Sequence, residues 1–410
     1  MSEPPPDLVR AQYEAYPYPS RDPADEAARL IEGSPSHPLE IDHHLFAGRR
    51  DWSRPFRALV AGGGTGDALV MLAQKLADLG CPAEVTYLDA SHAARAIAEA
   101  RMAVRGLSAR FVTADLLEAP ALGPFDYVDC CGVLHHLADP EAGFRALADA
   151  LAPDGGIGLM VYAPHGRSGV YALQAAFGRL FAGDAPETRL RLARPAVAGL
   201  DADHPFRRNR LLGDHETSDA GFYDLLLHGR DRPYRVAELE AALAGAGLER
   251  VAFVEPARYD PLRYLPEETA LHERVARMSE PDRAQLAEDL AGTMKAHRLY
   301  AARAGRADKA RARPSDPAAV AHLRRVDARA LANAVAARGE VPLTTDGVSY
   351  ALRLPRAAAP LIARIDGRQT LGQIAEALGL DWVAFGAAWA PVHRELTGFS
   401  ILHYSRGARP

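Results

Sequence analysis

The chain has little cysteine, almost no lysine, few aromatic residues and no long apolar run. Its three cysteines, Cys81 and the adjacent Cys130 and Cys131, exclude a disulfide framework and assemble no zinc motif, which points to a reducing compartment. No stretch approaches the ~18 uninterrupted apolar residues of a membrane helix. The start of the chain, Met1, Ser2, Glu3 and three prolines, offers neither a charged nor an apolar leader region. A cytoplasmic protein without a membrane partner is expected. An excess of one charge is missing too, since 48 basic residues face 53 acidic ones, so no bulk field draws in nucleic acid or an anionic membrane. Lys75, Lys295 and Lys309 are the only lysines, and arginine carries the remaining basic charge.

What is present is the mix of a globular protein, 48% hydrophobic and 25% charged over 410 residues, enough for two or three compact units. From about residue 57 to 162, short apolar runs alternate with amphipathic segments, the pattern of a parallel sheet wound with helices. The run Ala58-Leu59-Val60-Ala61 ends in Gly62-Gly63-Gly64-Thr65-Gly66, and Asp67 then opens a helix with Leu69, Leu72, Ala73 and Leu76 at helical spacing. Further strands are expected at Val85–Asp89, Phe111–Ala114, Phe125–Cys131 and Ile157–Tyr162, with Ser91 and Asp139 as helix N-caps and Pro140 at a first helical position. Residues 163–230 read as an insertion over the ligand-binding edge of the sheet, helical in its first half. A helix from Val236, a strand at Arg250–Val254, a helical stretch near 267–293 and a strand at Arg298–Ala302 follow. Residues 306–318, polar and proline-containing, read as a linker, and 319–410 as a second unit.

A glycine-rich turn between a first strand and a first helix lets backbone approach a ligand closely, with amide donors and the positive helix end aimed at it. A dinucleotide fingerprint needs a small residue where Asp67 stands, which argues against a nicotinamide oxidoreductase. Asp89 ends the second strand, where a carboxylate can accept from both hydroxyls of a ribose. Asp115 ends the third, where it can accept from an adenine amino group.

With Gly62, Gly64 and Gly66, then Asp89, Asp115, Phe125-Asp126-Tyr127-Val128, Leu134-His135-His136-Leu137 and Pro153-Asp154-Gly155-Gly156 in order, the chain resembles the class I S-adenosylmethionine-dependent methyltransferases. The resemblance is tight over 57–162 and looser to about 305. It implies a Rossmann-like, doubly wound seven-stranded sheet with an antiparallel last strand, spanning 57–305 behind an N-terminal arm or lid at 1–56. The implied cofactor, S-adenosyl-L-methionine, would lie on Gly62, Gly63, Gly64, Thr65, Gly66, Asp67, Asp89, Ala90, Ala114, Asp115 and Cys131, with Tyr16 of the arm near the sulfonium. One departure stands out: the acid usually two positions before the first glycine is Val60.

Methyl transfer from a sulfonium needs alignment and dryness more than acid or base, so the acceptor site is less legible. Asp224 and His228, four apart, can share a helix face as a carboxylate-held imidazole base, with His215 nearby in the insertion. Surface pairing is the competing reading. His135 and His136 at the sheet edge either touch substrate or shape their loop, and the paired His43 and His44 have no third metal ligand at a fixed spacing, so no metal site is expected. Cys130 and Cys131 read as small core residues at a strand end instead of a nucleophile. The aromatic-proline motif of enzymes that methylate nucleobase amino groups is absent, which disfavours nucleic acid.

The tail, through Arg364-Ile365-Asp366-Gly367 and a helix with Ile374 and Leu378, resembles small α+β winged-helix modules. Its next segment, Asp381-Trp382-Val383-Ala384-Phe385, has an apolar face suited to a protein surface, so a docking partner or a homodimer is expected in place of DNA. The expected activity is methyl transfer to an O, N or S atom of a small molecule or of a peptide or protein side chain. The rival reading is a non-catalytic sensor of the cofactor or its demethylated product, reporting to a partner through the tail.

Overall fold

Seven strands form one mixed sheet in the computed structural model, which describes residues 8–408. They are β1 (Phe56–Ala61), β2 (Ala83–Asp89), β3 (Arg110–Thr113), β4 (Phe125–Cys131), β5 (Leu151–Tyr162), β6 (Leu248–Phe253) and β7 (Ala296–Arg303), in the order β3-β2-β1-β4-β5-β7-β6. Strands β1 to β5 pair in parallel, and β7 enters antiparallel between β5 and β6. This is the Rossmann-like doubly wound sheet expected. Residues of β1 alternate between two cores: Leu59 and Ala61 pack on one face, Phe56, Ala58 and Val60 on the other. Burial on both faces is why the strand reads as a continuous apolar run. The order reverses at β1, which opens a crevice at the carboxyl ends of the strands.

Four helices position that crevice: α1 (Leu8–Ala15), α2 (Pro38–Leu45), α3 (Asp67–Asp78) and α4 (His92–Val104). Ser91 caps α4 by accepting from the Ala94 amide, and Asp139 caps the helix Pro140–Asp149 by accepting from Ala142. Met1–Asp7, the first residues of the arm, lie outside the described residues.

Four expectations need correction. Strand β5 begins at Leu151 instead of Ile157, because its pairing with β4 shifts from Phe125↔Leu151 to Tyr127↔Gly156 and the Pro153–Gly155 stretch is accommodated as a bulge. The insertion is helical in both halves, with helices Val170–Leu180, Pro186–Ala198 and Asp219–Leu226 around a core of its own that includes Phe177, Leu190 and Phe222. Residues 306–318 are not a free linker: Ala310 and Ala312 are buried, the Ala310 carbonyl accepts from the Ala47 amide at 2.5 Å, and the Ala312 amide donates to the His43 carbonyl at 2.7 Å. Of Trp382–Trp389 only Phe385 and Trp389 turn into the core, so the apolar surface expected there is reduced, with Trp382 and Val383 left 37% and 84% exposed.

The remaining unit is α+β. Strand β8 (Ala321–Leu323) pairs with β11 (Leu402–Tyr404), and β9 (Glu340–Thr345) with β10 (Val348–Arg353) forms a hairpin; helices Ala328–Arg338, Leu371–Ala377 and Trp382–Gly398 enclose Val335, Ile362, Ile374 and Trp389. Buried polar contacts join it to α2. Arg324 pairs with Glu40, the Ser405 hydroxyl donates to Asp42 at 2.5 Å, and the Tyr404 amide donates to His43 Nδ1 at 3.0 Å. No helix among the described residues is long and apolar enough to cross a membrane.

Candidate functional site

The turn after β1 is shaped by what it must avoid. A Cβ at Gly62, where φ is +69°, would stand 2.3 Å from a Val133 methyl, and one at Gly63 would stand 2.4 Å from the Tyr87 ring. The amides of Gly62 and Gly63 both donate to the Leu88 carbonyl, and the Gly64 amide donates to Asp89 Oδ2 at 2.8 Å. Asp89 Oδ1 accepts from the Ser91 amide at 2.8 Å, and burial raises this carboxyl above its ordinary value.

A cavity of about 650 Å³ opens at this turn and runs along the strand ends. Gly62, Gly63, Gly64, Asp67, Asp89 and Ala90 line its first part, with Ala114, Asp115 and Cys131 beyond. Asp115 Oδ1 accepts from the Leu117 amide at 2.8 Å, while Oδ2 accepts from none of the described residues. Three residues expected here do not reach the cavity. The Thr65 hydroxyl donates to the Pro19 carbonyl at 2.7 Å, Gly66 packs on Ala98, and Tyr16 stacks on Tyr223 with ring centroids 5.1 Å apart. The arm's tyrosines that do line it are Tyr13 and Tyr18.

Asp67, at the edge of the cavity, is also tied to the arm and to α4. It pairs with Arg21 at 2.6 Å and Arg101 at 2.7 Å. Burial acts to raise its pKa, but the two guanidinium groups outweigh burial and hold it below the usual carboxylate range. Arg101, itself buried, also holds Glu26 at 2.6 Å. Glu14 accepts from the His92 and Ala93 amides at the start of α4, where the helix end favours a carboxylate. The arm is thus latched across the turn, and the Tyr18 carbonyl passes over Gly64.

Sequence reasoning missed Asp129. It is the register partner of Val60 across β1 and β4, is 2% exposed, and lines the cavity. The Ser36 hydroxyl and the Cys131 thiol donate to its Oδ2, the thiol at 3.4 Å. Burial pushes its pKa up to about 6. The signal was available: an aspartate inside an apolar strand of a parallel sheet is buried on either face.

At the far end the expected dyad takes another form. The helix carrying Asp224 ends at Leu226, so His228 lies beyond it and the two do not share a helix face. Tyr13 joins them instead: its hydroxyl donates to Asp224 Oδ1 at 3.0 Å and accepts from His228 Nε2 at 3.1 Å. Tyr162 donates to Asp224 Oδ2 at 3.3 Å. Burial raises the Asp224 pKa and holds His228 well below the usual imidazole value, with His136 adding to the latter. Asp224 lines the cavity; His228 and His215 do not, and His215 sits against Phe206 with ring centroids 4.9 Å apart.

His136 is the second residue left out of the expected site. It lines the cavity and stacks on His228 with ring centroids 3.8 Å apart. Arg230 sets both rings. Its amide donates to His228 Nδ1 at 3.0 Å, which leaves the proton of the neutral ring on Nε2, and its carbonyl faces His136 Nδ1 at 2.9 Å, which therefore carries a proton. His136 Nε2 consequently holds a lone pair, and no described residue hydrogen-bonds it. Ligating atoms of His136, Asp224 and His228 lie within 4.8 Å of one another. With its proton on Nε2, His228 is a hydrogen-bond donor to Tyr13 in this arrangement.

A family model described as a methyltransferase domain matches residues 59–157. An uncharacterized protein of Synechococcus sp., syc1184_c, is 30% identical over 287 residues, 68% of this chain and 67% of that protein. The ubiquinone biosynthesis O-methyltransferase of Stutzerimonas stutzeri is 30% identical over 148 residues, and the match spans 35% of this chain and 58% of that enzyme. Among solved structures, PKMT2 from Rickettsia typhi in complex with AdoHcy superposes with a TM-score of 0.57 at 12% identity, covering 98% of this chain and 77% of that one.

Proposed function

Because this chain belongs to the class I S-adenosylmethionine-dependent methyltransferases, we propose that it methylates an O, N or S atom of a small molecule or of a peptide or protein side chain. The observation that carries this reading is one continuous cavity, with the glycine turn, Asp89 and Asp115 at one end and Tyr13, Asp224 and His136 at the other. The residues fit S-adenosyl-L-methionine. The cradle at Gly62 and Gly63 has no room for side chains, Asp89 stands where ribose hydroxyls would donate, and Asp115 Oδ2 has no partner among the described residues. When bound, this cofactor supplies an electrophilic methyl group on a sulfonium.

The chain's own contribution is alignment, dryness and proton transfer. The latched arm, with Tyr13 and Tyr18 facing the cavity, excludes water from the line between donor and acceptor. His136 Nε2 takes the proton that a hydroxyl or thiol loses as its lone pair is engaged, or that an ammonium loses beforehand to free its lone pair. His228, with its proton on Nε2, supports Tyr13 and Asp224 instead. The test is transfer of labelled methyl from S-adenosylmethionine to panels of phenols, thiols, amines and peptides. Transfer to one panel that falls sharply in His136→Gln supports the reading; binding of the cofactor with no transfer to any panel contradicts it.

A further inference from the structure

Among the acids in and around this site, Asp67 has Arg101, Asp231 has Arg167 and Asp346 has Arg298, while Asp89, with no ion pair among the described residues, has both oxygens on backbone amides. Asp224 lacks one but is satisfied by two tyrosine hydroxyls. Asp129 is different. It forms no ion pair among the described residues, both of its donors go to Oδ2, and Oδ1 accepts from none of them. A carboxylate removed from water without a counter-charge is costly, and such sites persist where a cation arrives from outside.

The surroundings are built to hold this carboxylate in place. Ser36 keeps a backbone φ of +96°, a region that non-glycine residues rarely occupy. Its hydroxyl proton goes to Asp129, so the Tyr127 hydroxyl, 2.9 Å away, donates to Ser36. Its amide donates to the Tyr300 hydroxyl at 3.3 Å, and Tyr300 in turn donates to Glu40 at 3.0 Å. Ser36, Tyr127, Tyr300 and Glu40 are all fully buried. Every donor around Oδ2 is fixed, and the oxygen left over belongs to a residue lining the cavity.

Position narrows the cation. Asp129 stands opposite Val60, two residues before Gly62, so the charge it holds lies at the start of the glycine turn. We propose that Asp129 binds the α-ammonium group of the cofactor's amino-acid end, and that β4 thereby supplies the acid that β1 lacks. This rests on the cofactor reading above. An ammonium suits the site better than a sulfonium, because Oδ1 is a hydrogen-bond acceptor and only the ammonium carries N–H donors.

The test is calorimetric titration of the full chain and of Asp129→Asn with four ligands: S-adenosylmethionine, S-adenosylhomocysteine, the latter's analogue lacking the α-amino group, and 5′-methylthioadenosine. The amide keeps the acceptor for Ser36, and Asp129→Ser is the second variant should the first not fold. Loss of one charge-assisted hydrogen bond predicts that S-adenosylhomocysteine binds the variant about 10- to 100-fold more weakly. The deaminated analogue and methylthioadenosine should bind both proteins alike. Equal affinity of S-adenosylhomocysteine for both proteins overturns the proposal. So does a variant weakened only toward S-adenosylmethionine, which would place the sulfonium at Asp129. Failure of the unaltered protein to bind either thioether nucleoside overturns the cofactor reading itself, and this assignment with it.

Discussion

Val60 and Asp129 are register partners on β1 and β4, so the strand that lacks a carboxylate lies directly beside one that carries it. The consequence is functional. An acid absent at Val60 would favour the rival sensing reading, and under the proposal above the buried carboxylate one strand over takes its place. The same aspartate ends a line of buried contacts through Ser36, Tyr300 and Glu40 to Arg324 of the C-terminal unit.

Asp89 is predicted to dominate ribose recognition. Asp89→Asn should weaken S-adenosylhomocysteine by about tenfold or more, the loss expected of hydrogen bonds to a charged acceptor. Unchanged affinity in a titration of the folded variant would place the cofactor elsewhere.

His136 and His228 are predicted to separate kinetically. His136→Gln should lower kcat by about 100-fold or more, as for loss of a general base, with cofactor affinity preserved. His228→Gln should act chiefly on acceptor KM, through Tyr13 and Asp224. Steady-state kinetics on the identified acceptor decides; a larger kcat loss in His228→Gln would restore that residue as the base.

Arg324 is 3% exposed and Glu40 fully buried. Removing one partner of a buried pair leaves an uncompensated charge, typically at a cost of about 3–5 kcal/mol. Arg324→Ala should therefore lower Tm substantially, and deletion of 319–410 should uncover Glu40, Asp42 and His43 and destabilise the whole chain. A truncated 1–318 that melts like the full protein would show the two units to be independent.

Acid should destabilise the fold. Burial holds His43, His44 and His403 well below the ordinary imidazole value. Below about pH 6.5 the unfolded chain gains protons that the fold refuses, up to about 1.4 kcal/mol per pH unit for each histidine. This contribution is intact above that pH and lost as pH falls. Asp42 and Asp129, both raised to about 6 by burial, work in the opposite sense at lower pH, but histidines held low by burial, His37, His135 and His228 among them, outnumber them. Melting curves between pH 7.5 and 5 should show Tm falling; a flat or rising Tm would contradict the assignment.

Much of the fold was legible because it is written locally. The apolar runs of β1, β2 and β4, the glycine turn and the caps at Ser91 and Asp139 each depend on neighbours in sequence. What was missed depends on distance. Tyr13 meets Asp224 across 211 positions, and the tautomers of His136 and His228 follow from the Arg230 backbone, which no side-chain pattern reveals. Thr65 and Gly66 sit in the right motif but face the arm and α4, and Asp67 lines the cavity while pairing with both. The 306–318 stretch looked like a linker by composition, whereas its small alanines are what lets it pack against α2.

The most direct test of the account is calorimetric titration of the full chain with S-adenosylmethionine, S-adenosylhomocysteine and NAD in parallel. The account predicts saturable binding of both sulfur ligands and none of NAD. Binding of NAD, or of none of the three, would contradict it.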